Sequence, residues 1–214
     1  MTDRPTTVFA VDDDPSVLKG IERLLRSAGF NAEVFTTAQS FLDAYRRDVV
    51  GCVILDLAMP GLDGLQLQHR LVEKGGALPI IFLTGRGDIP TSVRAMKQGA
   101  ADFLMKPVDD RELLAAVQQA TERCGLMQQE RRQLADIEQR LGTLTPRERE
   151  VLDHLLAGKI NKQIAATLGT VEKTIKVHRA RIMRKMDAPT VAALVRLADR
   201  AGLGSGPNGS SSAS

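Results

Sequence analysis

The sequence has few cysteines, few aromatic residues and no long hydrophobic run. Its two cysteines, Cys52 and Cys124, lie far apart and outside any CxxC or Cys/His pattern, which excludes a disulfide framework and a structural zinc site and favours the reducing cytoplasm. The absence of Trp and an aromatic content of 3% argue against single-stranded nucleic acid stacked on rings. No apolar run approaches the roughly 18 residues that span a bilayer, and segment 1–7 lacks the apolar part of a secretion signal, so we predict no membrane partner.

Length and charge together predict two domains with different partners. The chain has 214 residues, of which 43% are hydrophobic and 26% are charged, as in ordinary globular proteins. At roughly 150 residues per domain, this length fits one large domain or two small ones. Residues 1–124 contain 14 basic and 17 acidic residues, whereas residues 125–214 contain 15 basic and 9 acidic residues. The basic half favours a polyanion such as nucleic acid as its partner.

Five short apolar runs alternate with helical patterns in the first half of the chain. The predicted strands are 6–11, 32–35, 52–55, 79–83 and 102–105. The predicted helices begin at residue 15, near 41, at 62, at 90 and near 109. Apolar strands that alternate with helices predict an α/β fold, a five-stranded, doubly wound parallel sheet covered on both faces. Such a sheet binds its ligand at the carboxyl ends of the strands.

Polar side chains follow four of the predicted strands. They are Asp12, Asp13, Asp56, Thr84 and Lys106, and a parallel sheet brings all of them to one edge. Three carboxylates at one edge repel one another unless a cation neutralises them, and all-oxygen ligands favour Mg²⁺. The set therefore predicts phosphoryl chemistry, with an aspartate nucleophile, Mg²⁺, a lysine and a hydroxyl group around the phosphoryl oxygens.

Each of these residues alone also has a structural interpretation. Asp12–Asp14 could cap the first helix, Thr84 could belong to a turn, and Lys106 could be a solvated charge. Asp56 fits such an interpretation less well, because a carboxylate directly after an apolar strand is costly unless it is exposed or paired. The coincidence of all five at strand ends favours the phosphoryl site.

The second half of the chain has helical patterns only. The helix near residue 109 continues into segment 122–142, for which a polar linker helix and a short dimer-forming coiled coil are alternative interpretations. Thr145, Pro146 and Glu148 form a capping-box pattern that predicts a helix start. Four short helices are predicted at 146–157, 161–168, 172–186 and 190–201, and segment 204–214 is predicted to be disordered.

Residues 173–185 contain six basic residues and no acidic one. Ile175, His178, Ile182 and Met186 recur at helical spacing and form the predicted buried face, where we expect His178 to be packed and hydrogen-bonded. A basic helix with small or apolar residues between its charges suits the DNA major groove. Lys and Arg bind phosphates and guanine edges there, and Val and Ala permit close approach. A solvated basic surface is the alternative interpretation.

Residues 6–120 resemble the receiver domain of two-component response regulators. The matching residues are Asp12-Asp13, Asp56, Thr84 and Lys106-Pro107, and segment 83–107 is similar to the FixJ-like branch. The resemblance implies that Asp56 accepts a phosphoryl group from the phosphohistidine of a sensor histidine kinase. It also implies that Asp13, Asp56 and the backbone carbonyl of Ala58 bind Mg²⁺ directly, that Asp12 acts through water, and that the Lys106-Pro107 peptide bond is cis.

The same resemblance implies a conformational switch. Thr84 would move toward the phosphoryl group and Phe103 would take the space it leaves, although an ordinary core position is the alternative for Phe103. Asp14 is expected only to cap the first helix. Two positions depart from the family pattern, since Ala58 is small where many relatives carry a larger polar side chain and Arg86 stands where close relatives often carry His. Both flank the position of the attacking water, so they bear on phosphoryl lifetime.

Residues 143–202 resemble the four-helix helix-turn-helix domain of the LuxR, NarL and FixJ type. Segments 144–152, 161–169 and 173–186 carry the match, which implies a scaffold helix that begins at Asn161 and a recognition helix over 174–184. The implied DNA-contacting residues are Asn161, Lys162, Lys173, Thr174, Lys176, Val177, Arg179, Ala180, Arg181 and Arg184. Val171 stands where the family usually has Ser, so we expect its cap and phosphate contact to be missing unless Thr170 replaces them.

The two resemblances together predict a phosphorylation-activated transcription regulator. Its predicted parts are a receiver domain at 1–121, a linker helix at 122–142, a LuxR-type DNA-binding domain at 143–203 and a tail at 204–214. Phosphorylation is expected to promote a homodimer that binds double-stranded promoter DNA and acts on RNA polymerase. The chain is predicted not to be an enzyme, apart from the receiver's own phosphorylation and slow dephosphorylation.

Two other functions are left open by the sequence. Asp12-x-Asp14-x-Ser16 after an apolar strand also resembles the motif of haloacid-dehalogenase phosphatases, in which Asp12 would be the nucleophile and Asp14 the acid or base. That interpretation gives neither Asp56 nor the basic helix a role. An output that acts on RNA or on another protein is the third alternative, and sequence-selective binding of duplex DNA would exclude it.

Overall fold

The computed structural model of the chain describes residues 6–47, 49–76, 78–85 and 89–203. The chain divides into two compact units, Met1–Gln128 and Gln129–Ser214. Arg86 and the predicted disordered segment 204–214 lie outside the described residues. Within the four described ranges, no helix combines the length and the apolar character needed to cross a bilayer.

The first unit contains the predicted five-stranded parallel sheet. Its strands are β1 (Thr7–Val11), β2 (Asn31–Phe35), β3 (Gly51–Leu55), β4 (Ile80–Thr84) and β5 (Asp102–Met105). They are hydrogen-bonded in the order β2-β1-β3-β4-β5, and every neighbouring pair is parallel. Val11 is in register with Leu55, so the residues that follow these two strands, Asp12 and Asp56, lie side by side at the carboxyl edge of the sheet.

Each of these strands is followed by a helix. The helices are α1 (Pro15–Ser27), α2 (Ala38–Ala44), α3 (Gly64–Glu73), α4 (Ile89–Lys97) and α5 (Asp110–Gly142). Asp14 caps α1, as expected, by accepting a hydrogen bond from the Ser16 N–H. The start of α3 differs from the prediction by two residues. Asp63 and Gln66 form a capping box there, so the first helical residue is Gly64 and not Leu62.

Two apolar clusters, one on each face of the sheet, form the core of the first unit. Alternate residues of β1 belong to different clusters: Val8 packs with residues of α1 and α5, and Phe9 packs with residues of α2 and α3. Every residue of β1, β3 and β4 is buried, as expected for a parallel sheet with helices on both faces. This packing fixes the strand ends from which the polar residues extend.

The second unit is helical, as predicted. It contains α6 (Pro146–Leu156), α7 (Asn161–Thr167), α8 (Glu172–Lys185) and α9 (Val191–Arg200). The predicted capping box at the start of α6 is present, since Thr145 and Glu148 exchange hydrogen bonds between side chain and backbone. The apolar core of this unit also includes Ile137 and Leu141, which belong to the last turns of α5.

Candidate functional site

Three carboxylates meet at the carboxyl edge of the sheet. Asp12 and Asp13 follow β1 and Asp56 follows β3, and one ligand atom of each lies within 4.8 Å of the others. Asp12 and Asp56 are only 3% and 7% exposed, whereas Asp13 is exposed. The β1–β3 register therefore brings together the three aspartates that the sequence places after different strands, and solvent reaches the cluster from the side of Asp13.

Lys106 lies against this cluster. Its Nζ is 2.5 Å from Oδ2 of Asp12 and 3.6 Å from Oδ1 of Asp56. Its backbone N–H donates to the carbonyl of Thr84, which joins the ends of β4 and β5, and the Lys106-Pro107 peptide bond is cis as the resemblance implies. The ammonium group thus contributes positive charge at the position where the carboxylates concentrate negative charge.

Asp56 is an unusual carboxyl group in this setting. Burial raises its pKa above the ordinary value of 3.8, the Lys106 ammonium opposes that rise, and the Asp12 carboxylate adds to it. Its Oδ1 is buried and accepts no hydrogen bond from any described residue. A buried carboxylate oxygen without a donor, beside two more carboxylates, fits a hard divalent cation that prefers oxygen ligands.

Asp14, which directly follows Asp13 in the chain, lies outside the cluster of Asp12, Asp13 and Asp56. Its Oδ1 accepts hydrogen bonds from the backbone N–H and the hydroxyl of Ser16, and the hydroxyl bond lowers the pKa of this carboxyl. Asp14 therefore does what a helix cap does. The carboxyl that the phosphatase motif would need as acid or base is occupied in this way.

Three further predicted residues of this region differ in burial. Thr84, the last residue of β4, is fully buried, whereas Ala58 is exposed. Phe103 of β5 is half-buried and packs against the core, with its ring centroid 6.4 Å from that of Phe82. The sheet thus holds Thr84 and Phe103 on neighbouring strands, where Phe103 pairs with Phe82 and Thr84 with Met105.

Gly64 is a site residue that the sequence analysis missed. A Cβ atom at this first position of α3 would lie 2.5 Å from the backbone oxygen of Asp56. The Gly64 N–H also donates to the carbonyl of Leu57, at 3.1 Å. A glycine is therefore required where α3 approaches the Asp56 backbone. A glycine directly after a capping aspartate, near the predicted nucleophile, is the signal that could have revealed it.

α8 presents a basic face to solvent. Its buried residues Ile175 and Ile182, with Met186 at its end, pack in the helical core. The exposed residues of its opposite face are Lys173, Lys176, Val177, Ala180, Arg181 and Arg184. Thr174 is half-buried, and the nearby Lys162 of α7 is exposed. This alternation of cations with Val and Ala is the arrangement that suits the major groove.

Asn161 and Arg179 contact each other. Nη1 of Arg179 donates to Oδ1 of Asn161 at 3.2 Å, and both residues are half-buried. This bond ties the start of α7 to the middle of α8. Part of the hydrogen-bonding capacity of both residues is therefore already used within the protein.

Two expectations about α8 have definite outcomes. Val171 is the N-cap of α8, and among the described residues no side-chain capping bond is present at this position, so the cap expected from Ser is missing, whereas the phosphate contact stays a prediction. His178 is half-buried, and the expectation that it is hydrogen-bonded was wrong, because its buried Nδ1 has no hydrogen-bond partner among the described residues. Helical spacing predicted the face of His178 correctly, but it could not predict which polar atoms lie opposite.

Comparisons with known proteins identify the class. Residues 8–118 match the family described as response regulator receiver domain, and residues 142–198 match the family described as bacterial regulatory proteins, luxR family. The chain belongs to the two-component response regulators that carry a LuxR-type DNA-binding domain and regulate transcription.

Individual relatives make the comparison more specific. The chain is 43% identical to Nodulation protein W of Bradyrhizobium diazoefficiens, covering 92% of this chain and 86% of that protein. It is 42% identical to Transcriptional regulatory protein FixJ of the same organism, covering 92% of this chain and 96% of the relative. The low-resolution structure of the response regulator StyR is similar with a TM-score of 0.87 and 45% identity, covering 92% of this chain and all of that one.

Proposed function

We propose that Asp56 accepts a phosphoryl group from the phosphohistidine of a sensor histidine kinase. The observation that carries the proposal is the buried Asp56 carboxyl, which lies in a cluster with Asp12 and Asp13 and 3.6 Å from the Lys106 ammonium. A carboxylate oxygen of Asp56 attacks the phosphorus and the P–N bond of the phosphohistidine breaks. The imidazole nitrogen keeps the electron pair of that bond and takes up a proton.

Asp13, Asp56 and the backbone carbonyl of Ala58 would hold Mg²⁺ in this pocket, with Asp12 acting through water. The bound ion supplies charge neutralisation for the phosphoryl oxygens. Lys106 provides a second positive charge 3.6 Å from Asp56, and the Thr84 hydroxyl would contact a phosphoryl oxygen. Small phosphoryl donors are also expected to phosphorylate Asp56. The acyl phosphate formed on Asp56 is expected to hydrolyse slowly.

The proposed consequence of phosphorylation is a homodimer that binds promoter DNA. Movement of Thr84 toward the phosphoryl group would let Phe103 turn inward, which changes the surface formed by α4 and β5. Val93, Met96 and Met105 of that surface are 45%, 45% and 57% exposed, so apolar area is available for a second copy. The dimer would bind two half-sites through α8 and act on RNA polymerase in the cytoplasm.

The proposed domain boundaries separate the phosphorylated domain from the domain that binds DNA. We propose a receiver domain at 1–121, a linker helix at 122–142 and a DNA-binding domain at 143–203. The linker is compatible with a short coiled coil, since Leu134 of the predicted apolar seam is 38% exposed on α5. Arg131 and Glu138 interrupt its apolar spacing, which favours the plain linker helix.

Phosphorylation with acetyl phosphate and Mg²⁺ tests the proposal. Intact mass should show one phosphoryl adduct in the wild type and none in Asp56→Ala, and the elution volume should shift toward a dimer in the wild type only. Asp43→Ala removes an exposed aspartate of α2 and should keep the adduct. An adduct that persists in Asp56→Ala would move the nucleophile to another residue, with Asp12 the first to test.

A further inference from the structure

The carboxyl end of α8 is held by a residue of α5. Nη1 of Arg140 donates to the backbone carbonyl of Met186 at 3.1 Å and lies 3.4 Å from the carboxylate of Asp187. Nη2 of the same guanidinium lies 2.9 Å from the carboxylate of Asp136, one turn earlier in α5. Arg140 therefore connects α5 to the two residues that directly follow α8.

The chemistry of this contact suits a helix end. The last carbonyls of a helix lack partners within the helix and carry partial negative charge, and a guanidinium group can donate several hydrogen bonds in a fixed plane. Asp187 adopts a left-handed backbone conformation, with φ of 51°, where the chain leaves α8. Arg140 thus binds the point at which the chain turns out of the helix.

Apolar packing reinforces the contact. Ile137 and Leu141, on either side of Arg140, are 3% and 8% exposed and belong to the same core as Ile175, Ile182 and Met186. In contrast, residues 129–136 of α5 are all exposed. The last turns of α5 are therefore part of the second unit's interior, although the sequence assigned them to a linker.

A second cation makes contacts at the same end of α8. Nζ of Lys185, the last residue of α8, donates to Oε2 of Glu148 at 2.6 Å and to the backbone carbonyl of Thr143 at 2.8 Å. Glu148 is 2% exposed. The Lys185 ammonium is thus paired within the protein, and it links the last residue of α8 to Thr143, between α5 and α6, and to Glu148 of α6.

We propose that Arg140 is a positioning residue for DNA recognition, and that the last turns of the linker helix, from Ile137, are structural support for the DNA-binding domain. Arg140 does not contact DNA in this proposal. It fixes the carboxyl end of the recognition helix, so that the exposed cations of α8 meet phosphates and base edges in one orientation. The inference rests on the proposed role of α8 in binding DNA.

Arg140→Gln in the full-length protein, phosphorylated with acetyl phosphate and Mg²⁺ in parallel with the wild type, tests this role. The probes are a duplex selected by the wild type from random sequence and an unselected duplex of equal length, measured well below the unfolding temperature. We expect affinity for the selected duplex to fall about five- to tenfold, as for loss of a charge-assisted hydrogen bond, with a smaller fall for the unselected duplex. Arg131→Gln removes the same charge from an exposed position of α5 and should leave the ratio of the two affinities unchanged.

Amide hydrogen exchange distinguishes positioning from general destabilisation. The amides of Met186, Asp187 and Ala188 donate to carbonyls of the last turn of α8. They should exchange faster in Arg140→Gln, while the buried amides of α6 keep their wild-type rates. Faster exchange throughout the unit, or an unchanged ratio of affinities, would overturn the inference. A wild-type protein that selects no duplex would instead contradict the proposed function.

Discussion

Asp13 and Asp14 are neighbours in the chain, but only Asp13 belongs to the acidic cluster. Asp13→Asn should weaken Mg²⁺ binding roughly tenfold or more, because a carboxylate supplies much of the attraction for a hard cation. Asp14→Ala should lower the unfolding temperature through loss of the α1 cap and leave Mg²⁺ affinity unchanged. Calorimetric titration with Mg²⁺ and thermal unfolding separate the two effects. Equal Mg²⁺ affinities in the two variants would contradict the assignment of Asp13 to the metal site.

Glu148 makes the second unit sensitive to acid. The hydrogen bond from Lys185 and that from the Thr145 N–H lower its pKa from 4.5 to about 2. Because the pKa is depressed in the folded state, this stabilisation is complete above the unfolded pKa and is lost as pH falls from about 4.5 toward 2. Glu148→Gln should therefore lower the free energy of unfolding at pH 7 by about 1–3 kcal/mol, and the difference from the wild type should shrink toward pH 2.

The measurement is urea unfolding followed through resonances of α6 and α8 at several pH values. Glu150→Gln is the matched control, because the Glu150 side chain is 53% exposed in its pair with Arg147. Such a surface pair contributes only about 0–1 kcal/mol, so this variant should follow the wild type at every pH. A Glu148→Gln deficit that stays constant down to pH 2 would exclude the ionised Glu148 as its source.

Among the helices, α8 begins without a side-chain cap and α9 begins with one. Val171 leaves the first N–H groups of α8 without a side-chain acceptor, whereas the Thr190 hydroxyl accepts from the Ala193 N–H at 3.1 Å. Val171→Ser should raise the free energy of unfolding by about 1 kcal/mol, and Thr190→Val should lower it by about as much. Thermal unfolding measures both changes. A lower midpoint in Val171→Ser would show that the exposed Val171 stabilises α8 in another way.

Val171→Ser should also change the affinity of the protein for duplex DNA. A Ser at the start of α8 adds a hydroxyl group where the helix amino terminus favours phosphate. Val171→Ser should therefore strengthen binding to selected and unselected duplexes alike, since phosphate contacts carry no sequence information. A gain confined to the selected duplex would point to a base contact at this position instead.

Strands, helices and caps were largely predictable from the sequence because they depend on local patterns. β5 was predicted with both of its ends, and the caps at Asp14 and Thr145 were predicted from residue type and spacing. The clustering of Asp12, Asp13 and Asp56 also followed, since a parallel sheet aligns the ends of its strands. Residue roles in DNA binding and metal binding stay predictions.

Contacts between distant segments could not be predicted in this way. Arg140 meets the carbonyl of Met186, 46 residues away in the chain, only in the folded helical core. The unpaired Nδ1 of His178 likewise depends on what lies opposite it. Helical spacing identifies a buried face, but the partner atoms come from elements far away in the sequence.

At the scale of the whole molecule, the two compact units contain the proposed sites for Mg²⁺ and for duplex DNA. The acidic cluster belongs to the first unit and the basic face of α8 to the second. A ligand that binds only the folded form of one unit stabilises that unit. We therefore expect two thermal transitions, of which Mg²⁺ raises one midpoint and duplex DNA raises the other. Differential scanning calorimetry with each ligand alone measures this. A single transition that responds to both ligands would show that the units unfold together.

The exposed segment 129–136 of α5 is a suitable junction for exchanging receiver domains between response regulators. A junction there keeps the hydrogen bond from Gln128 to the Val49 carbonyl on one side and the buried Ile137 on the other. A junction at residue 143 would instead remove Arg140 and two core side chains from the DNA-binding module. A functional junction between this DNA-binding module and a different receiver domain is therefore expected only within about two turns of α5.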